Sequence, residues 1–230
     1  QSIWDIFCST LLGACCCLVP KNVFGNPMEL EKYMNRHRVT VAALTPLFIK
    51  EMDPNNYPYL RVLESGAEAP QLEILRSWNK NRDVFNTYGP TETTVNALSY
   101  KLNGNEKYSV PIGKPVSNIE AYILDQNNKL MGIGMPGELC IGGAGVTDGY
   151  LNKPDLTAEK FVDNPFTDGK MYRTGDLVKW HSDGNIEYLG RIDEQVKIRG
   201  YRIELGEIES TIRQLDGIND VAVITKTSAG

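Results

Sequence analysis

The feature that most limits what this chain can fold into is a change of texture near Lys107. Before it, short β-branched runs alternate with stretches whose apolar residues recur at helical spacing. After it, short alternating runs follow one another with only glycine, Asp-Gly and Asn-rich turns between them. Strand alternating with helix predicts βαβ units and a parallel sheet. A succession of short strands split by turns predicts hairpins curled into a small barrel or distorted sheet.

Element by element, residues 2–12 read as a helix, followed by Gly13 and a short buried strand over 14–19. Residues 27–37 read as a helix, with Leu30, Tyr33 and Met34 on one side. Val39 to Leu44 reads as a buried strand that ends at Thr45-Pro46. Leu60 to Leu63 is another, followed by Ser65-Gly66-Ala67 and a helix with Glu68 and Pro70 in its first turn. Val84 to Asn86 repeats the pattern. In such sheets ligands bind beyond the carboxyl ends of the strands, so the loops after Leu44, Leu63 and Asn86 are expected to converge. Further on, strands are expected at Ala121 to Leu124, Gly137 to Ile141, Leu177 to Trp180, Asn185 to Leu189 and Gln195 to Ile198. A helix from Gly206 to about Leu215 and a last strand from Val221 to Thr225 follow. The expected fold is α/β: a βαβ-layered large lobe with a β-rich distorted barrel segment, then the start of a small α+β lobe.

A hydrophobic fraction of 41% over 230 residues suffices for one sizeable core and part of a second unit. The net charge of −5 speaks against a generic nucleic-acid binder, which needs a basic face. No run of 18 apolar residues marks a membrane span, and Asp5 with no basic segment before it speaks against a signal peptide. A cytoplasmic protein is the expectation. A chain that opens at Gln1 on a ready-made apolar helix is expected to be part of something longer. Of the five cysteines, Cys15, Cys16 and Cys17 are consecutive, which no disulfide framework explains; with Cys8 and Cys140 they read as reduced, buried thiols. His37 and His181 lack partners at ligand spacing, so neither a zinc site nor a histidine-activated nucleophile is expected.

Four segments carry chemistry. In NTYGPTETT (86–94), glycine and proline set a tight turn beyond a strand. That turn can offer Tyr88 as a stacking surface, Thr91 as a phosphate donor and Glu92 as a carboxylate for Mg²⁺. In YRTGDLVKW (172–180), Asp176 follows a turn, a position suited to gripping two ribose hydroxyls. The charged run 190–209 and the glycine-turned segment 137–151 complete the set. Alone, each is also an ordinary turn or solvated hairpin. The formal Gly-x-Gly-x-x-Gly at Gly132, Gly134 and Gly137 contains Pro136 and leads into strand-like residues, so it is no dinucleotide site.

Together and in this order the segments resemble the adenylation domains of nonribosomal peptide synthetases, in the adenylate-forming superfamily. The resemblance rests on NTYGPTETT, on GELCIGGAGVTDGYLNKPDLTAEKFVDNPF (137–166), on YRTGDLVKW and on DGNIEYLGRIDEQVKIRGYRIELGEIE (183–209). SIWDIFCSTLLGA (2–14) resembles the segment that opens the family's amino-acid pocket. The resemblance implies ATP-dependent formation of an aminoacyl-AMP, then a thioester on the phosphopantetheine of a peptidyl carrier domain, with a condensation domain in the same chain. It implies that Asn86 and Tyr88 meet the adenine above Gly66 and Ala67, and that Thr91 touches the α-phosphate. Glu92 then holds Mg²⁺ and Asp176 the ribose, with Tyr188 and Arg191 beside the nucleotide. It places a hinge at Asp193, dividing a partial large lobe (1–192) from the start of the small lobe (193–230). Lys197 and Gly200 fall on the loop that turns inward for thioester formation.

The resemblance lines the amino-acid pocket with Trp4, Ala43, Leu63, Ser65, Thr87, Val95 and Asn96. None is charged, which disfavours a charged substrate side chain and suits a medium or large one with some polarity. Two departures stand out. The family's Ala-Arg after Gly-Val is Thr147-Asp148 here. Its phosphate loop and amino-group aspartate are expected before Gln1, and its acyl-adenylate lysine after Gly230. The isolated fragment is therefore expected to be inactive by itself. A D-alanine–carrier ligase or acyl-CoA synthetase shares the adenylation step and stays open, as does a non-catalytic nucleotide- or carrier-binding fragment.

Overall fold

The computed structural model describes residues 2–192, 196–198, 201–203, 205–213, 215, 218 and 221–224. Its first part is a layer of helices on a sheet. Helix α1 (Ser2–Leu11) and the single turn α2 (Lys21–Phe24) lead to α3 (Pro27–Arg36). Asn26 caps α3: its side chain accepts from the backbone N–H of Met28 at 3.0 Å and of Glu29 at 3.3 Å, and Pro27 pre-sets the first turn. Strand β1 (Val41–Ala43), α4 (Pro46–Lys50), β2 (Val62–Gly66), α5 (Leu72–Trp78) and β3 (Asp83–Tyr88) form the βαβ units. β1, β2 and β3 are parallel neighbours. The sheet then turns antiparallel with β4 (Leu98–Lys101) and β5 (Lys114–Pro115).

The second sheet is antiparallel, in the order β10 (Ile186–Arg191), β9 (Lys170–Trp180), β7 (Pro136–Gly143), β6 (Ile119–Leu124), with β8 (Phe161–Asp163) also on β9. Helix α6 (Pro154–Lys160) precedes β8. Register shifts interrupt the ladders at Glu138/Cys140 and Tyr188/Gly190, and such bulges bend a sheet. A hairpin of β11 (Val196–Ile198) and β12 (Tyr201–Ile203), then α7 (Leu205–Arg213), ends the described elements.

Two cores result. One packs Leu63 and Val84 of the first sheet against Leu30, Met34, Ile49, Leu75 and Trp78 of α3, α4 and α5. The other joins Tyr88 and Leu98 at the end of that sheet to Ile123, Leu139, Ile141, Val178 and Ile186 of the second. Backbone bonds cross the same seam: Ile112 N–H donates to Ile186 O, and Ile186 N–H to Gly113 O, both at 2.8 Å. The end of β3 is thereby held against the middle of β9 and β10.

The expected α/β class and β-rich second part are the observed ones. Residues 14–19 form no strand: the run leads to Pro20 and α2 with no ladder partner. Cys15 is exposed rather than buried, while Cys140 is buried on β7 with its thiol pushed up to about 12, chiefly by burial. All five cysteines are unpaired by disulfides. Residues 221–224 likewise form no strand; Val223 N–H donates to the Glu209 carboxylate at 2.9 Å. After Gly137 the chain continues as β7, so the glycine motif opens no helix. Among the described residues no helix is long and apolar enough to cross a membrane.

Candidate functional site

The parallel strands deliver two loops to one end of the first sheet. β2 ends at Gly66, and Ala67 follows at φ 73°. Gly66 pairs with Thr87, and a Cβ on Gly66 would lie 2.5 Å from the Thr87 carbonyl oxygen, so only glycine fits there. After β3, Pro90 leads into a single 3₁₀ turn, Thr91–Thr93. Thr94 (φ 60°) and Val95 (φ 71°) follow in the left-handed region, which β-branched residues avoid. Contacts hold them there: Thr94 Oγ1 donates to Gly145 O at 2.6 Å, and Ala97 N–H returns to Tyr88 O at 2.8 Å. Strain held by surrounding contacts is a mark of binding loops.

Two buried carboxylates face this end. Asp176 on β9 is 4% exposed. It accepts from the Tyr88 hydroxyl, and Arg191 Nη1 reaches its other oxygen at 3.0 Å while donating to Thr174 O at 2.7 Å. Thr174 Oγ1 accepts from Asp176 N–H at 3.0 Å. Burial, then the Asp176 charge, hold the Tyr88 phenol well above its ordinary range, so it stays a protonated donor. β10 brings Arg191 in as the register partner of Asp176, and half-buried Tyr188 as that of Val178.

Glu92 is the second carboxylate, 8% exposed. Its Oε1 accepts from the Tyr150 hydroxyl at 2.7 Å and the Tyr172 hydroxyl at 3.0 Å. Its backbone oxygen accepts from Thr147 N–H at 2.9 Å. Thr147 and Asp148, where the resemblance led to expect Ala-Arg, therefore lie on a loop tied to Glu92 through backbone. Thr91, beside Glu92, is exposed.

Tyr88, Asp176 and Arg191 are thus in direct contact, and Thr91 and Glu92 leave the same strand end. Asn86 is 2% exposed, and its amide donates to Pro111 O at 2.8 Å, which ties β3 to the 103–113 connection. The expected pocket residues divide. Pairing register puts Leu63 and Ser65 on the face of Val84 and Asn86, while Ala43 and Thr87 share the face of Glu64 and Phe85. Leu63 is fully buried in the first core. Ser65 is 1% exposed with an unpartnered hydroxyl, and the Asn96 side-chain oxygen is buried and unpartnered too. Trp4 and Val95 are half-buried. Asp193 and Gly200 lie outside the described residues, and Lys197 is placed by its backbone alone, opposite Arg202.

Sequence reasoning passed over Tyr150, Tyr172 and Thr174. They stand inside the quoted segments, but no local signal tells which side chains turn inward. The donor set suits a magnesium-bound nucleotide. Mg²⁺ takes one or two carboxylates and completes its shell with phosphate oxygens and water. Among the described residues no three His, Cys, Asp or Glu side chains gather as a self-sufficient metal cage. Glu92 with the adjacent Thr91 hydroxyl is chemically compatible with a metal that arrives with phosphates, and the Asp176 carboxylate is an acceptor-only group.

A profile described as AMP-binding enzyme matches residues 1–151. The chain is 44% identical over 228 residues to tyrocidine synthase 1 of Brevibacillus parabrevis, covering 98% of this chain and 21% of that protein. It is 42% identical over 224 residues to gramicidin S synthase 1 of Brevibacillus brevis, covering 96% of this chain and 20% of that one. The chain therefore spans about a fifth of the length of these relatives. Among solved structures, an NRPS protein containing adenylation and PCP domains superposes with a TM-score of 0.86 at 28% identity, over 98% of this chain and 48% of that one. An artificially fused adenylation–PCP di-domain from Klebsiella oxytoca gives 0.81 at 26% identity, over 97% and 44%. With a matching profile over well more than half its residues, the chain belongs to the AMP-binding enzyme family.

Proposed function

We propose that this chain is the nucleotide-gripping part of an amino-acid-adenylating ligase of nonribosomal peptide synthesis. In that reaction a carboxylate oxygen of the amino acid attacks the α-phosphorus of ATP, the bond to the β-phosphate oxygen breaks, and pyrophosphate leaves. The acyl group then passes from the aminoacyl-AMP to the phosphopantetheine thiol of a peptidyl carrier domain. The observation that carries the reading is the buried Asp176 carboxylate, held between the Tyr88 hydroxyl and Arg191 at the seam of two sheets. An acceptor-only group fixed on both oxygens is preorganised for the paired hydroxyls of a ribose.

On this reading Tyr88 and Tyr188 offer ring faces near the adenine, Asn86 and the Gly66–Ala67 turn frame it, and Thr91 donates to a phosphate oxygen. Glu92 holds Mg²⁺, which when bound neutralises charge on the triphosphate. Trp4, Ala43, Leu63, Ser65, Thr87, Val95 and Asn96 shape the amino-acid pocket. Asp193 divides the lobes as a hinge, and Lys197, on the β11–β12 hairpin, belongs to the segment that serves thioester formation. A condensation domain in the same chain and a cytoplasmic location complete the reading. Relatives named tyrocidine synthase 1 and gramicidin S synthase 1, and a neighbour described as an NRPS protein with adenylation and PCP domains, support it. The test is pyrophosphate exchange by the full-length protein across amino acids, fatty acids and aryl acids. Exchange driven by an amino acid is expected; exchange only with fatty or aryl acids assigns an acyl-CoA-type ligase instead.

A further inference from the structure

The Glu92 carboxylate is held by two phenols from distant parts of the chain. Tyr150, on the loop before α6, and Tyr172, on β9, both donate to Oε1, and their hydroxyls are 3.3 Å apart. Phe161 on β8 fixes both rings: its centroid lies 5.4 Å from that of Tyr150 at an interplanar angle of 76°, and 5.1 Å from that of Tyr172 at 50°. The loop bearing Tyr150 is tied down as well. Tyr150 N–H donates to Thr157 Oγ1 at 2.9 Å, and Thr147 N–H to Glu92 O at 2.9 Å. Two donors on one oxygen restrict the carboxylate's rotation.

The geometry points to Tyr150 and Tyr172 as positioning residues that set how Glu92 meets the nucleotide's divalent cation. This rests on the reading of Glu92 as the carboxylate for that cation. Outer partners that orient a ligating carboxylate control metal affinity, with losses of about 10-fold or more when one is removed.

The probe is Mn²⁺ with a non-hydrolysable ATP analogue and the full-length protein, followed by loss of the free-ion paramagnetic signal. Glu92→Gln is the reference. Tyr150→Phe and Tyr172→Phe keep the ring packing on Phe161 and remove only the hydroxyls. Each is expected to weaken Mn²⁺ binding about 10-fold, with analogue binding in the absence of metal unchanged. The double variant is expected to be no weaker than Glu92→Gln. Unchanged Mn²⁺ affinity in both tyrosine variants, with Glu92→Gln weakened, overturns the positioning role. Unchanged affinity in Glu92→Gln overturns the reading of Glu92 itself. If fully buried Tyr172 does not tolerate the change, Tyr150→Phe decides the matter on its half-buried site.

Discussion

A carboxylate that is 4% exposed destabilises a fold unless charge and hydrogen bonds offset its desolvation. At Asp176 they do, through Arg191 and the Tyr88 hydroxyl, one on each oxygen. Such a group is a poor choice for stability alone and a good one for binding. In the full-length protein, Asp176→Ala removes a charge-assisted hydrogen bond, which contributes about 1.5–3 kcal/mol. ATP-dependent pyrophosphate exchange is then expected to fall by roughly one to two orders of magnitude. Asp176→Asn, which keeps the volume and spares Arg191 part of its partnering, is expected to fall less. Near-normal exchange in the alanine variant would remove the ribose assignment.

At the scale of elements, the β9–β10 ladder carries both the site and its own anchor. Glu187 on β10 faces Lys179 on β9. Its carboxylate meets Lys179 Nζ at 3.0 Å, His181 Nε2 at 2.8 Å and the Ser109 hydroxyl at 2.8 Å. Burial alone would raise its pKa, but His181, Ser109 and Lys179 outweigh it and pull the group down to about 2. A depressed carboxyl stabilises the fold above its ordinary range, near 4.5, and that contribution is lost as pH falls towards 2. Glu187→Gln is expected to lower stability at neutral pH by about 1–3 kcal/mol. It should also flatten the dependence of the urea midpoint on pH between those limits. A variant that keeps the wild-type acid slope would assign that slope to other carboxyls. Ser109 joins this ladder from the connection between β4 and β5, so the anchor also pins the two sheets together.

At the scale of the whole molecule, the site exists only because two sheets meet. The cluster containing Tyr88, Leu98, Ile123, Ile141, Val178 and Ile186 holds the end of β3 against β9, and Asp176 comes to Tyr88 across 88 residues of sequence. The proposed hinge at Asp193 has its own test. Asp193→Pro fixes φ near −65° and should block rotation about a hinge. In the full-length protein, aminoacyl-AMP formation by pyrophosphate exchange is expected to survive better than radiolabel loading of the carrier thiol. Equal losses in both would make Asp193 merely structural and join residues 194–230 to the main body.

Local chemistry alone settled most of the elements. Asn26 before Pro27, Pro46 after Thr45, and β-branched runs ending in glycine or proline turns mark starts and stops that neighbours along the chain decide. The same locality explains the misread strand at 14–19: apolar β-formers need a ladder partner, and a run cannot announce whether it has one. It also explains why β4, β8 and α6, short and weakly patterned, passed unnoticed. Asp176 and Glu92 stood out because their segments are chemically dense, whereas Arg191 was singled out only by the family resemblance. What only the tertiary structure decided was which groups hold those charges. Tyr88 on Asp176, and Tyr150 and Tyr172 on Glu92, join residues 58 to 88 positions apart. Such pairings follow from sheet register and sheet-on-sheet packing, where a shift of one residue turns every side chain to the opposite face.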